Sequence, residues 1–305
     1  MRFTADEVAS ATGGERHGPE TTCDGAAIDT REDVAGALFV PIVGERDGHE
    51  FVDAALAGGA AAYLTARDPE GGTAIRVADT TEALTALGRH ARGRLPERVV
   101  GITGSVGKTS VKDLLAAALG ASFATAASER SFNNELGVPL TLANAADGTE
   151  AVVVEMGARG IGHIAHLCEI ARPTIGVVTA VGHVHTELFG TIDDVARGKG
   201  ELVADLPPDG TAVLNNDDER VRVMATPARR LLYGTGGDVA AEGIELDDEL
   251  RPRFTVRTPW GSAEVRLEVR GSHQVGNALA AVAAACAAGC PNGSSASRDR
   301  SARPA

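Results

Sequence analysis

Nine residues, Gly-Ile-Thr-Gly-Ser-Val-Gly-Lys-Thr at positions 101–109, constrain the fold of this chain more than any other segment. They end an apolar run at 99–103 that is typical of a buried strand, and they precede a helical run at 110–119. A glycine-rich turn between a strand and a helix directs several backbone N–H groups at one point, where the helix dipole adds positive potential. The segment therefore predicts a loop that binds nucleotide phosphates.

Within this loop, Gly104 and Gly107 allow the backbone to curl around phosphate oxygens, Lys108 neutralises the β- and γ-phosphates, and Thr109 can hold Mg²⁺. The strict phosphate-loop pattern is not met, because Ile102 stands where that pattern requires a glycine. The alternative is an ordinary glycine-rich turn followed by an exposed lysine. The residues expected to contact the nucleotide are Gly104, Ser105, Val106, Gly107, Lys108, Thr109 and Ser110.

The chain before residue 97 shows short, mixed patterns that predict a small α/β domain. Thr4 is placed to cap a first helix, and Leu95-Pro96 marks a linker to the next unit. The other elements predicted there are strands at 26–28, 37–41, 60–64 and 74–77 and helices at 51–56 and 81–94.

After residue 98, apolar strands alternate with helical segments, which is typical of a parallel sheet covered by helices. Segment 239–269 alternates in the manner of β-hairpins, and 275–288 predicts an alanine-rich helix. The other predicted strands lie at 99–103, 151–156, 175–178 and 211–214, and the other predicted helices at 110–119, 161–170 and 192–206. The expected fold class is α/β, with a small mixed α/β N-terminal domain (1–97), a P-loop-type central domain with a mainly parallel sheet flanked by helices and a β-hairpin region (98–290), and a disordered tail (291–305).

The charge balance narrows the classes of partner. The 305 residues carry a formal net charge of −13, which argues against a general nucleic-acid binder with a basic face. The four cysteines match no common zinc spacing. Neither a signal peptide nor a run of about 20 apolar residues is present, so we expect a cytoplasmic protein without membrane insertion.

A second group of candidate residues follows the predicted strands. Glu155 closes an apolar strand, which places its carboxylate at the edge of the sheet where ligands of open α/β sheets bind. It is a candidate to hold a metal or position a water, and the alternative is a capping or salt-bridged glutamate. His183 and His185 follow the next strand to the same edge, and either could be a metal ligand or a structural residue. Nothing in the spacing marks Lys199, which has the setting of a surface helix lysine.

Taken together, these residues resemble the Mur ligase family, the ATP-dependent amide-forming enzymes of peptidoglycan synthesis. The loop of that family has the form Gly-x-Thr-Gly-[Ser/Thr]-x-Gly-Lys-[Thr/Ser], which residues 101–109 match, Ile102 included. The resemblance covers about residues 1–290 and is strongest to the branch that adds D-alanyl-D-alanine. Its further segments are 29–31 (Asp-Thr-Arg), 44–51, 131–141, 155–158 (Glu-Met-Gly-Ala), 185–190, 196–201 and 271–281.

The resemblance implies roles that the residues alone did not. It selects His185 over His183 as the metal ligand, makes Lys199 the carbamylated lysine of the family, and places Asn277 near the adenine. The substrate-binding residues it implies are Asp29, Thr30 and Arg31 on the uridine side, with Asn133 and Asn134.

The chemistry implied by the resemblance is acyl activation. The γ-phosphate of ATP passes to the terminal carboxylate of UDP-N-acetylmuramoyl-tripeptide, and the amine of D-alanyl-D-alanine then attacks the acyl phosphate. Lys108 and a Mg²⁺ ion on Thr109 would neutralise the transferred group, while Glu155, His185 and Lys199 would hold a second Mg²⁺. Lys108, His185 and Lys199 are thus the implied catalytic residues, ATP and Mg²⁺ the cofactors, and a monomer is expected.

Members of the family carry a third, C-terminal domain, which would begin just after Gly289, and 290–305 has none of its pattern. We therefore expect that domain to be missing, as after a frameshift or early stop, and ligase turnover to be impaired. One alternative is another amide ligase of the superfamily, such as the diaminopimelate- or lysine-adding ligase or folylpolyglutamate synthase. Asn133-Asn134 and the Gly-Val-Pro at 137–139 argue against it. The other alternative is a non-catalytic nucleotide-binding remnant.

Overall fold

The computed structural model describes residues 1–182 and 190–290. The predicted tail at 291–305 and both candidate histidines, His183 and His185, lie outside these residues. Within them, no helix has both the length and the apolar composition needed to cross a bilayer.

The first part of the chain forms a five-stranded sheet, a two-stranded ribbon and three helices. The ribbon pairs β1 (Arg2–Thr4) with β3 (Thr22–Asp24). The sheet runs in the order β2-β7-β6-β5-β4, parallel except for β2. Its strands are β2 (Glu15–His17), β4 (Ala26–Ala27), β5 (Leu38–Phe39), β6 (Ala62–Thr65) and β7 (Ala74–Arg76). The helices are α1 (Ala5–Thr12), α2 (Val52–Ala57), which continues a 3₁₀ turn at Gly48–Phe51, and α3 (Thr80–Gly93).

Local capping explains where these helices begin. The Oγ1 of Thr4 accepts a hydrogen bond from the Glu7 N–H, and the Thr4 N–H donates to the Glu7 carboxylate, a capping box that confirms the prediction at Thr4. Asp79 caps α3 by accepting from the N–H groups of Thr81 and Glu82. The apolar face of α3, including Leu84 and Leu87, is buried.

The second part is a six-stranded parallel sheet in the order β13-β12-β11-β8-β10-β9. The strands are β8 (Val99–Thr103), β9 (Thr125–Ala127), β10 (Ala151–Glu155), β11 (Ile175–Val178), β12 (Thr211–Asn215) and β13 (Arg229–Tyr233). Its helices are α4 (Lys108–Gly120), α5 (Gly137–Ala143), α6 (His163–Ala171), α7 (Ile192–Ala204), α8 (Glu219–Arg222) and α9 (His273–Ala287). The α/β fold class is therefore confirmed.

The topology creates a crevice at the end of β8. The chain runs from β8 to β10 on one side of it and then crosses to β11 on the other, so both neighbours end beside the turn that follows β8. Ligands of open α/β sheets bind at such a switch point, outside the carboxyl ends of the strands. The hairpin region is confirmed as an antiparallel sheet of β14 (Ala240–Leu246), β15 (Pro252–Thr258) and β16 (Gly261–Arg266).

The two parts pack against each other through α3, α5 and α6. A Cβ on Gly88 of α3 would lie 2.4 Å from the Cβ of Pro139 in α5, so only glycine allows this approach. The buried Arg92 donates to the carbonyl oxygens of Ala171 and Arg172 at the end of α6, at 2.6 and 3.1 Å. The domain boundary predicted near residue 96 falls between α3 and β8 and stays a prediction.

Candidate functional site

The turn after β8 forms a cradle that only glycines permit. Gly104 and Gly107 have φ angles of 148° and 84°, a region that favours glycine. A Cβ on Gly104 would lie 1.9 Å from the Oγ1 of Thr179. Lys108 opens α4 and its Nζ donates to the carbonyl oxygen of Gly104 at 2.7 Å, so the ammonium curls back over the cradle. Burial lowers the pKa of Lys108, and the charge of Glu155 opposes that shift.

The segment that follows β11 is tied to this cradle. The Oγ1 of Thr179 donates to the carbonyl oxygen of Val106 at 2.5 Å, and the Ser105 N–H donates to that of Ala180 at 2.8 Å. The Gly182 N–H donates to the Oγ of Ser105 at 2.9 Å. Because loop and segment share these hydrogen bonds, the residues that follow β11 help to fix the conformation of the loop.

Glu155 ends β10 with its side chain fully engaged. The residue is 1% exposed. Its Oε2 accepts from the Oγ1 of Thr109 and its Oε1 from the Nδ2 of Asn133, both at 2.9 Å. Its backbone N–H donates to the Oγ of Ser128 at 3.1 Å. Thr109 lies in the first turn of the helix that follows the phosphate loop, so this carboxylate links the loop to the 128–133 segment.

Lys199 lies on α7 and is buried, with 5% of its surface exposed. Burial, and then repulsion from Lys108, lowers the pKa of Lys199 to about 8. The expectation of an ordinary surface lysine, which the sequence pattern gave, is therefore wrong. The lysine lies deep enough for a functional role that its spacing did not reveal.

The structure describes three of the four predicted metal ligands, Thr109, Glu155 and Lys199. Thr109 and Glu155 contact each other and Lys199 lies near Lys108, while His185 is outside the described residues. In the two described segments, no three His, Cys, Asp or Glu side chains cluster closely enough to hold a metal ion. Of the described residues, Thr109 and Glu155 are the predicted ligands that offer oxygen atoms at this edge.

Asn277 approaches the phosphate loop from α9. A Cβ on Gly107 would lie 2.6 Å from its Oδ1, and its Nδ2 donates to the Oε1 of Gln274 at 2.9 Å. The side chain therefore lies beside the phosphate loop. Its role toward the base stays a prediction.

The predicted uridine-side residues line a cavity of about 380 Å³ in the first part of the chain. Arg31 donates from Nη2 to the Oδ2 of Asp29 at 2.6 Å and holds the pKa of that carboxyl at about 2. Arg46, from the second predicted loop, stacks at 4.6 Å on the ring of Phe51. The structure therefore brings both predicted loops together. The lining residues are Ile28, Asp29, Thr30, Arg31, Phe39, Ile42, Arg46, Gly48 and Phe51.

The paired asparagines have different settings. Asn133 reaches Glu155, as described above, whereas the Oδ1 of Asn134 accepts from the N–H groups of Leu136 and Gly137 at 3.3 and 2.9 Å. Asn134 therefore shapes the start of α5, and the substrate role predicted for it stays a prediction. The sequence analysis did not identify Lys112, whose Nζ donates to the carbonyl oxygens of Ser128 and Arg130 and so supports the turn before Asn133. Its only local signal was a lysine on the apolar side of a helix.

Comparisons with known proteins show what this chain is similar to. Residues 102–285 match the family model described as the Mur ligase middle domain. A protein of Mycobacterium tuberculosis named UDP-N-acetylmuramoyl-tripeptide--D-alanyl-D-alanine ligase is 41% identical over 292 residues, covering 86% of this chain and 57% of that protein.

Two crystal structures extend the comparison to the fold. MurF from Acinetobacter baumannii has a TM-score of 0.85 and 33% identity, over 95% of this chain and 66% of that one. MurF ligase from Thermotoga maritima, in complex with ADP, has a TM-score of 0.75 and 30% identity, over 88% and 64%. This chain thus spans about 57% of the length of the mycobacterial relative.

Proposed function

The chain belongs to the Mur ligase family, and from that membership we propose that it carries the nucleotide and UDP-substrate sites of an ATP-dependent ligase. The reaction proposed is the joining of D-alanyl-D-alanine to UDP-N-acetylmuramoyl-tripeptide. The names of the relatives favour this branch over the diaminopimelate-adding and folylpolyglutamate-forming alternatives. Because the reaction uses ATP and a UDP-linked substrate, a cytoplasmic location is part of the proposal.

One observation carries the proposal: the hydrogen bonds from Thr109 and Asn133 to the two oxygens of Glu155. Thr109 belongs to the phosphate-loop helix and Asn133 to the segment beside the first part of the chain. A single buried carboxylate therefore joins the place where a nucleotide ends to the place where an acceptor would enter. A phosphoryl-transfer enzyme requires this proximity, because the reacting atoms must be held about 3 Å apart.

The cradle fits the phosphates of ATP. Its backbone N–H groups open α4, the glycines leave room for phosphate oxygens, and Lys108 adds a positive charge. In the structure, the Nζ of Lys108 donates to the carbonyl oxygen of Gly104. The proposal requires Lys108 to exchange this contact for phosphate oxygens.

The donor set suits a hard cation such as Mg²⁺. Thr109 and Glu155 offer hydroxyl and carboxylate oxygens, the ligand type that Mg²⁺ prefers. When bound, Mg²⁺ would neutralise charge on the transferred phosphoryl group and on the acceptor carboxylate. An unmodified Lys199 would repel the ion, and a carbamylated Lys199 would instead offer an anionic oxygen.

The setting of Lys199 supports that modification. Carbamylation needs a neutral amine to attack CO₂, with its nitrogen forming the new C–N bond and losing a proton. With a pKa of about 8, about a tenth of the amine is neutral at pH 7, against less than about a thousandth for an ordinary lysine. Burial therefore makes Lys199 more reactive and also makes its charged form unfavourable.

The substrate would reach this site from the first part of the chain. The cavity bounded by Asp29, Arg31 and Arg46 would take the UDP end, with Arg46 and Arg31 as donors for pyrophosphate. The carboxylate of the third peptide residue would then lie beside Asn133. There its oxygen attacks the γ-phosphorus of ATP and ADP leaves, after which the amine of D-alanyl-D-alanine displaces phosphate from the acyl carbon.

Phosphate release tests the proposal. The protein is mixed with ATP, Mg²⁺, UDP-N-acetylmuramoyl-tripeptide and D-alanyl-D-alanine, and a Lys108→Ala variant serves as the control. We expect release that depends on both acceptors and is lost in the variant. If the unmodified protein binds ATP but releases no more phosphate than Lys108→Ala, the proposed ligase reaction is wrong and only nucleotide binding remains.

A further inference from the structure

A second cavity, of about 670 Å³, lies between the two sheets. It opens between β4, the edge strand of the first sheet, and β9, the edge strand of the second. Its polar and aromatic lining includes Glu32, Asp33, Glu129, Arg130, Phe132 and Asn144. The lining contains none of the residues expected to bind substrate, which are Asp29, Thr30, Arg31, Asn133 and Asn134.

The cavity carries both signs of charge. Three carboxylates line it, from Glu32, Asp33 and Glu129, with the guanidinium of Arg130. An Nη1 of Arg130 lies 3.1 Å from the Oε1 of Glu32, and the Arg130 side chain is 77% exposed. Ion pairs this exposed contribute little stability, so a ligand with its own charges can replace them. The lining therefore fits a group that bears an ammonium and a carboxylate together.

Arg130 is also held in an unusual conformation. Its φ of 46° is left-handed, which is uncommon for a residue with a side chain. Lys112 of α4, which is 4% exposed, stabilises this turn. Its Nζ donates to the carbonyl oxygens of Ser128 and Arg130 at 2.9 and 3.0 Å. Backbone strain of this kind persists where the surrounding structure enforces it, and it concentrates at functional sites.

The position of the cavity relates it to the substrate. Ile28 lines both this cavity and the one assigned to the UDP end. At its other side, Phe132 immediately precedes Asn133, which donates to Glu155. The residue whose carboxylate reacts beside Asn133 carries its own side chain, which must extend into nearby space. This cavity is the space that adjoins both ends of the proposed substrate path.

We propose that this cavity receives the side chain of the third residue of the UDP-linked tripeptide. In this assignment Arg130 selects a side chain that ends in both an ammonium and a carboxylate, as in 2,6-diaminopimelate, over one that ends in an ammonium alone, as in lysine. Arg130 exchanges its pairing with Glu32 for the substrate carboxylate, and the freed carboxylate of Glu32 takes the ammonium together with the other carboxylates of the lining. This inference rests on the proposed function and adds a specificity-determining residue to it.

The test compares two tripeptide substrates on one protein. The dissociation constants of UDP-N-acetylmuramoyl-tripeptides that contain 2,6-diaminopimelate or lysine are measured by calorimetry for the unmodified protein and for Arg130→Gln. Arg2→Gln is the matched control, because Arg2 forms a similarly exposed ion pair with Asp24. We expect Arg130→Gln to weaken binding of the diaminopimelate substrate about tenfold and of the lysine substrate less than about twofold. The control should change neither.

Binding of UDP alone should be equal in all three proteins, which shows that the variants are folded. An equal loss for both substrates, or no loss for either, would overturn the inference and leave the proposed function standing. Failure of the unmodified protein to bind either tripeptide would overturn the proposed function, and this inference with it.

Discussion

Lys199 offers a prediction whose size follows from the structure. Its pKa falls from 10.5 to about 8 because the side chain is buried and because Lys108 is near. Each pKa unit corresponds to about 1.4 kcal/mol, so at neutral pH the buried ammonium costs the folded state about 3 kcal/mol relative to the unfolded chain. A Lys199→Met variant keeps the length of the side chain and removes the charge. We expect it to be more stable than the unmodified protein by up to about 3 kcal/mol at pH 7.

The difference in stability between Lys199→Met and the unmodified protein should depend on pH in a defined direction. Below pH 8 the amine of Lys199 is protonated in both states, and the full penalty applies. Between pH 8 and 10.5 the unfolded state binds more protons than the folded state, so the unmodified protein gains stability as the pH rises. Above that window both states are neutral and the penalty is gone. The difference between the two proteins should therefore shrink toward zero between pH 8 and 10.5.

Urea unfolding at several pH values, in buffer freed of CO₂, measures this difference. Lys112→Met is the matched control, since Lys112 is equally buried but donates to the carbonyl oxygens of Ser128 and Arg130. Its loss removes this donor from both carbonyl oxygens and should destabilise the protein by about 1–3 kcal/mol at pH 7. A Lys199→Met variant less stable than the unmodified protein at pH 7, or a difference that does not vary with pH, would refute the reasoning.

Three further predictions concern the loop, the carboxylate and the packing of the two sheets. Gly107→Ala places a Cβ at a φ of 84° and 2.6 Å from Asn277; it should cost about 1–2 kcal/mol in urea unfolding and weaken ADP binding, whereas Gly120→Ala, which meets open space, should change neither. Glu155→Gln should leave metal-free ADP binding unchanged and weaken its dependence on Mg²⁺ about tenfold or more; equal Mg²⁺ titrations would exclude Glu155 as a ligand. Asn144→Ala removes the hydrogen bonds of 2.7 and 2.9 Å between the Asn144 side chain and the backbone of Ala26. It should lower the free energy of unfolding in urea by about 1–3 kcal/mol, and an unchanged free energy would contradict the prediction.

Sequence reasoning found the elements whose signal is local. β8 and β11 were predicted with the bounds they have, because continuous apolar runs of that length are typical of buried parallel strands. β9 and α5 were not predicted. β9 is a three-residue edge strand without alternation, and α5 is seven residues long with a proline at its third position. Such elements depend on the neighbours they pair with or pack against.

The candidate site also contains residues with a local sequence signal and residues whose setting depends on packing. The positions of the glycine-rich turn and of Glu155 could be predicted, because the turn follows a recognisable strand and Glu155 ends one. The burial of Lys199 and the contact of Lys112 with the turn at Arg130 arise only when α7 and α4 pack in three dimensions. For Lys199, the resemblance supplied a role that the spacing did not, and that role stays a prediction.

The central claim is that one chain holds a nucleotide at the phosphate loop and a UDP-linked substrate at a separate cavity. Calorimetric titration of ADP with Mg²⁺, and of UDP-N-acetylmuramoyl-tripeptide, into Lys108→Ala and Asp29→Ala variants tests it most directly. We expect Lys108→Ala to lose the nucleotide and keep the UDP substrate, and Asp29→Ala to show the reverse. The account would be contradicted if each folded variant lost both the nucleotide and the UDP substrate. It would also be contradicted if both variants kept both ligands.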